Sequence, residues 1–140
     1  MFNAINLYRI ERKLYLIGVP IIPQILKLII FLIYNSSIPY EAEIGRNTKF
    51  GYGGIGVVIH KKAKIGSSCI ISQQVTIGGK LGCKSLPVIG DNVEICAGAK
   101  IIGDVKIGNN VTIGVNSVVN KDIPDNAIVA GVPAKIIRFK

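Results

Sequence analysis

The 140-residue chain has no tryptophan, one histidine and one methionine, and aromatic residues make up only 6% of it. A core built on large rings is therefore not expected, and the interior has to be filled by aliphatic side chains. The three cysteines, Cys69, Cys83 and Cys96, cannot pair completely, and their spacings match no CxxC-type ligand pattern. With His60 as the only imidazole, neither a metal site nor a disulfide scaffold is expected. A reducing, cytoplasmic setting follows, with the inner face of the membrane as its outer limit. Acidic residues are also scarce: 8 against 17 basic ones, a formal charge of +9. The excess is spread along the chain and forms no stripe interleaved with aromatics, so nucleic acid is not the expected partner. A phosphate-bearing small molecule, an anionic glycan or an anionic lipid surface fits the charge equally well.

No apolar run is long enough to span a bilayer. Leu14–Tyr34 is strongly apolar, but Pro20, Pro23, Gln24 and Lys27 interrupt it. The remainder beyond the prolines and Gln24, Ile25–Tyr34, carries Lys27 and is about half of a transmembrane helix. A signal peptide is disfavoured because the prolines break the apolar centre and no A-x-A site follows. Residues 1–40 are therefore predicted to be a helical, apolar segment packed on the rest of the domain or on a neighbouring subunit. Peripheral membrane contact through residues 1–34 is the other candidate role, with Arg9, Arg12 and Lys13 meeting anionic lipid.

From residue 41 the sequence repeats with a period of six. Every sixth residue from Ile59 to Val119 is Ile or Val, with Cys83 the single exception. A small or β-branched residue stands two places before most slots, as in Val57, Ala63, Cys69, Val75 and Val93, and glycine follows many of them, as in Gly66, Gly78, Gly90, Gly108 and Gly114. This period is neither that of a helix nor that of a plain strand. It predicts short β-segments joined by sharp corners, each turning one aliphatic residue inward, with glycine easing the turn. Three segments close a triangular coil of 18 residues, which would stack Ile59, Ile77, Ile95 and Ile113 in one column and Ile71, Ile89 and Ile107 in another. The same count places His60, Gly78, Cys96 and Gly114 along one edge. The Gly51–Gly54 segment absorbs a phase shift of three residues. A second break, residues 78–87, reads as a loop leaving the prism at a corner, and such loops usually carry function. The division is thus an N-terminal segment, 1–40, and a coil domain, 41–140, with the extruded loop 78–87 and a C-terminal tail.

The repeat, the segment Gly56-Val57-Val58-Ile59-His60, the run Val75-Thr76-Ile77-Gly78-Gly79 and the tail Ala130-Gly131-Val132-Pro133-Ala134-Lys135 resemble the hexapeptide-repeat acyltransferases. The resemblance covers roughly residues 38–138 and is closest to the serine acetyltransferase-like branch, which includes polysaccharide O-acetyltransferases. It implies an all-β fold, a left-handed parallel β-helix with a short N-terminal helical segment. It also implies a homotrimer with acetyl-CoA held between subunits and no metal. Serine acetyltransferases carry an Asp-His pair where this chain has Tyr52-Gly53, and a second His in the loop, where this chain offers Cys83 and Leu86. These departures shift the expected acceptor from serine to a sugar hydroxyl of a surface polysaccharide or its precursor. Serine O-acetylation is the alternative, and a non-catalytic β-helix scaffold is the alternative from another class.

Acyl transfer from a thioester needs a base, donors for the carbonyl oxygen and a groove for the pantetheine arm. His60, just past an inward Ile and flanked by small residues, is the expected catalytic residue, in the role of general base. Gly78, Gly79, Ala97, Gly98 and Gly114 are the expected backbone contacts to the cofactor. Lys121, Lys135 and Arg138 are the expected partners of its phosphates.

Overall fold

The computed structural model describes residues 2–140. Two helices precede the repeat: α1, Ala4–Leu16, and α2, Ile22–Tyr34. Asn3 starts α1 by accepting the Ile5 amide on its side chain at 3.1 Å. Pro23 sits in the first turn of α2, and Asn35, in the left-handed region, ends it. α1 buries Ala4, Ile5, Tyr8 and Glu11, one helical face. α2 buries only Pro23, Ile30 and Tyr34 and leaves Ile25, Leu28, Phe31, Leu32 and Ile33 exposed. No helix among the described residues is long and apolar enough to cross a membrane.

The repeat folds into a parallel β-helix with three faces. The first face stacks Val58–Ile59, Thr76–Gly78, Lys100–Ile102 and Val118–Val119. The second stacks Glu43–Ile44, Lys64–Ile65, Val88–Ile89 and Lys106–Ile107. The third stacks Lys49–Phe50, Ile70–Ile71, Glu94–Ile95, Thr112–Ile113 and Ala127–Gly131. Within each two-residue strand the second side chain is buried and the first turns outward or stays half-buried. The interior is therefore three aliphatic columns: Ile59, Ile77, Ile101 and Val119; Ile44, Ile65, Ile89 and Ile107; and Phe50, Ile71, Ile95, Ile113 and Val129.

These columns correct the stacking read from the sequence. Ile59 and Ile77 stack at the expected 18 residues, but Ile77 stacks on Ile101, 24 residues on. Ile95 and Ile113 belong to the Phe50 column, and Ile89 and Ile107 to the Ile44 column. The cause is the loop between Gly78 and Val88, whose net insertion is one hexapeptide. It shifts every later residue by one face while leaving the period intact.

The turn chemistry also differs from expectation. The left-handed corner positions are held by Asn47, Asn92, Asn110, Asn116 and Asn126, among others. Gly66, Gly90 and Gly108 instead stack corner on corner. A Cβ on Gly66 would lie 2.3 Å from the Gly90 carbonyl oxygen, and one on Gly108 2.3 Å from Asp125 Oδ1. Close approach of successive coils, and not backbone angle, excludes a side chain there.

A solenoid needs its ends covered, because the outermost coil has edge groups with no neighbour. α1 supplies the missing donors at the N-terminal end. Tyr8 OH bonds the Ala42 carbonyl, Arg9 bonds those of Ile44 and Gly45, and Arg12 that of Tyr40 at 2.8 Å. Arg9 and Arg12 are thus committed to the first coil, which corrects their expected role at a lipid surface. At the other end the chain doubles back, and Ala134–Phe139 pairs antiparallel with Ala127–Gly131.

Candidate functional site

The corner between the first and second faces carries His60, then Gly78 and Gly79, then the segment after Lys100–Ile102, and last Lys121. The loop leaves the prism at this same corner. Its base is pinched shut: a Cβ on Gly79 would sit 2.7 Å from Leu86 Cδ2. Cys83 folds back beside Gly103, so the loop lies along the edge. His60 is half-buried here. Its amide donates to the Ile77 carbonyl at 2.9 Å, which fixes the backbone to the next coil.

The ring of His60 is oriented by its own chain. Nδ1 accepts the Lys62 amide at 3.1 Å. An amide can only donate, so in the neutral ring the proton stands on Nε2. A general base acting through Nε2 needs the opposite tautomer, with the proton held on Nδ1. In this orientation the neutral ring presents an Nε2–H donor, and the general-base role expected of His60 requires the ring turned over. Hollows on either side meet at this residue. One is lined by Lys27, Ser37, Pro39, Lys61 and Gly78, the other by Lys62, Gly79, Lys80, Cys83 and Lys84.

Ala97, Gly98 and Gly114 lie elsewhere. The net hexapeptide inserted by the loop moves them to the corner between the third and first faces. There the Gly98 amide bonds the Gln73 carbonyl and the Asn116 amide bonds the Ala97 carbonyl. Cys96 and Gly114 share that edge with Ser72, so the single edge expected for His60, Gly78, Cys96 and Gly114 does not exist within one chain. Tyr52 begins the same edge, exposed and in the left-handed region at φ 48°. Lys135 and Arg138 stand on the terminal hairpin, paired with Ala130 and Ile128. The candidates thus form two sets on opposite borders of the first face: His60, Gly78, Gly79 and Lys121 on one, Ala97, Gly98 and Gly114 on the other. Burial pushes the Cys69 and Cys96 thiols up from their ordinary values, so neither is a ready thiolate.

Sequence reading missed the lysines that surround His60. Lys61, Lys62, Lys64, Lys80 and Lys84 all line hollows at or next to this corner. The signal was present as an absence, since no acidic residue stands between Glu43 and Asp91. It also missed Glu11, which nothing in a helical hydropathy pattern marks as buried.

The description "bacterial transferase hexapeptide (six repeats)" matches residues 87–121. The serine acetyltransferase of Synechococcus elongatus is 38% identical over 138 residues, covering 97% of this chain and 56% of that protein. A serine acetyltransferase structure in complex with CoA superposes with a TM-score of 0.87 at 34% identity, over 96% of this chain and 55% of the other. The Neisseria gonorrhoeae serine acetyltransferase in complex with serine gives 0.88 at 34%, over 96% and 55%. The chain spans about half the length of these relatives. In repeat, fold and sequence it belongs to the hexapeptide-repeat transferase family, on the serine acetyltransferase-like branch.

Proposed function

We propose that the chain is an acetyl-CoA-dependent O-acetyltransferase with serine as its first-choice acceptor, working in the cytoplasm. The observation that carries this is the superposition of nearly the whole chain on serine acetyltransferases, one bound to CoA and one to serine. The sugar acceptor expected from the sequence finds no support among these relatives. It is kept as the second reading on one observation: Tyr52-Gly53 stands where the resemblance leads one to expect an Asp-His pair, and the loop offers Cys83 and Leu86 where it leads one to expect a second histidine.

Transfer is direct. The acceptor hydroxyl oxygen bonds to the thioester carbonyl carbon, the carbon–sulfur bond breaks, and the hydroxyl proton passes to the departing thiolate. His60 donates Nε2–H to the carbonyl oxygen as charge builds there, a contribution of about 10²–10³ in rate for such a donor. The pantetheine arm runs along the corner past Gly78, where a Cβ would meet nothing closer than 4.0 Å, and beside the backbone of Gly79, which Leu86 covers on its other flank. Lys121 is three ladder steps from His60, about 14 Å along the axis. A cation at that distance suits the phosphates while the thioester reaches His60. The backbone at Ala97, Gly98 and Gly114 and the cations Lys135 and Arg138 complete the groove from a neighbouring copy, since one chain holds the two sets on different edges. A homotrimer closes such a groove three times over.

The test is a thiol-release assay with acetyl-CoA, screening serine against free and phosphorylated sugars. Release with serine supports the first reading, release with a sugar alone the second. No acceptor-dependent release from any of them would leave the scaffold reading in place.

A further inference from the structure

The groove at the base of the loop has more positive charge than the chemistry above requires. Its lining includes Lys61, Lys62, Lys64 and Lys84 together with Glu41 and Glu43. Two of these charges cancel locally. Glu43 and Lys64 stand opposite each other in the parallel ladder, both outward. One carboxylate oxygen of Glu41, Oε2, is fully buried and so turned away from the water in the groove. Lys61, Lys62 and Lys84 then outnumber the one remaining carboxylate of the groove, that of Glu41. Their ammonium groups make no hydrogen bond among the described residues, in contrast to Lys100, which holds the Gln74 carbonyl at 2.6 Å. The groove adjoins the reactive corner, because Lys62 and Lys84 also line the hollow that contains His60.

We propose that Lys61, Lys62 and Lys84 form an anion subsite for the acceptor, so that the acceptor is a hydroxyl compound carrying a carboxylate or a phosphate. This rests on acetyl transfer taking place at His60. The phosphates of CoA are not the occupant. The thioester has to reach His60, and the whole pantetheine arm then separates the phosphates from a lysine two residues away. An anion held here lies beside the reacting carbon and therefore belongs to the other substrate. The two sources of that anion are an amino-acid carboxylate and a phosphate ester. Mobile lysine ammonium groups serve either, whereas a dedicated carboxylate fork would use arginine.

The first arm of the test needs no turnover. Inorganic phosphate is titrated into the uniformly 15N-labelled full chain, and the amides of Lys61, Lys62 and Lys84 are followed by NMR. Saturable shifts at these amides are expected, and the Lys61→Gln/Lys84→Gln variant should abolish them while Lys49→Gln, on the third face, keeps them. The second arm measures KM. Each lysine removed should raise KM for a charged acceptor roughly five-fold, the factor that corresponds to about 1 kcal/mol, and leave KM for acetyl-CoA unchanged. Preference for serine over serinamide identifies the carboxylate as the source, and preference for a hexose phosphate over the hexose identifies the phosphate. Phosphate shifts that do not saturate, a rise in KM for acetyl-CoA in place of the acceptor, or equal use of neutral and charged acceptors would each overturn the subsite. Saturable binding in a chain that transfers no acetyl group would retain the anion site and remove the transfer reading beneath it.

Discussion

The amide of Lys62 donates to Nδ1 of His60 across 3.1 Å, and this one bond sets which proton the imidazole can offer. It makes Nε2 a donor. A glutamine side chain also presents an N–H near that position, whereas alanine presents nothing. His60→Gln is therefore expected to keep a substantial part of the turnover that His60→Ala loses. Steady-state kinetics on both variants checks this, and equal loss in the two would restore the general base.

Gly66 and Gly78 follow inward isoleucines in the same way, yet they face different constraints. A Cβ on Gly66 would meet the Gly90 carbonyl oxygen at 2.3 Å, while on Gly78 the nearest group is Thr76 Cγ2 at 4.0 Å. Gly66→Ala is expected to lower stability by about 1–3 kcal/mol through overpacking. Gly78→Ala should melt like the parent and instead weaken acetyl-CoA, because it fills the groove proposed for the pantetheine arm. Thermal unfolding and KM for acetyl-CoA, measured on both variants, separate the two effects.

Glu11 is fully buried under α1 with neither carboxylate oxygen hydrogen-bonded. Burial is the main reason its pKa is pushed up to about 8; the Lys27 ammonium opposes the shift and the Glu41 carboxylate adds to it. The folded chain therefore holds this proton over a range in which the unfolded chain has already released it. Stability should fall as pH rises from the ordinary glutamate range to about 8, by about 1.4 kcal/mol per unit, and level off above. Glu11→Gln should flatten that slope and be more stable than the parent at neutral pH. Denaturant midpoints at pH 5, 6, 7 and 8, chosen to span roughly this range, check it. An unchanged slope in the variant would assign the pH dependence to other groups.

Sedimentation at micromolar concentration is expected to give three associated chains. His60 lies on one border of the first face and Gly98 on the other, so a monomer leaves the proposed groove half built. A monomer that nevertheless binds acetyl-CoA tightly would contradict the groove between copies.

The six-residue period makes the β-helix legible in the sequence, because one inward aliphatic residue per segment is what a thin stacked core requires. The loop was legible too, as a failure of that period at Cys83. Its consequence was not: a net insertion of one hexapeptide keeps every slot aliphatic while moving Ile95 to a different column and Gly114 to a different edge. A repeat cannot report how many units a loop absorbs when the insertion equals the repeat. His60 was visible as the lone imidazole, but its tautomer depends on where the Lys62 amide points, which no spacing encodes. Arg9 and Arg12 read as free surface charge, since only the folded first coil shows the edge carbonyls they satisfy.

The most direct test of the central claim is acceptor-dependent release of CoA from acetyl-CoA, measured side by side on the parent chain and His60→Ala with serine in excess. The account predicts release with formation of O-acetylserine by the parent, and a fall of about 10²–10³ in turnover for the variant with its thermal unfolding unchanged. Equal release by the two proteins, each folded, would contradict it.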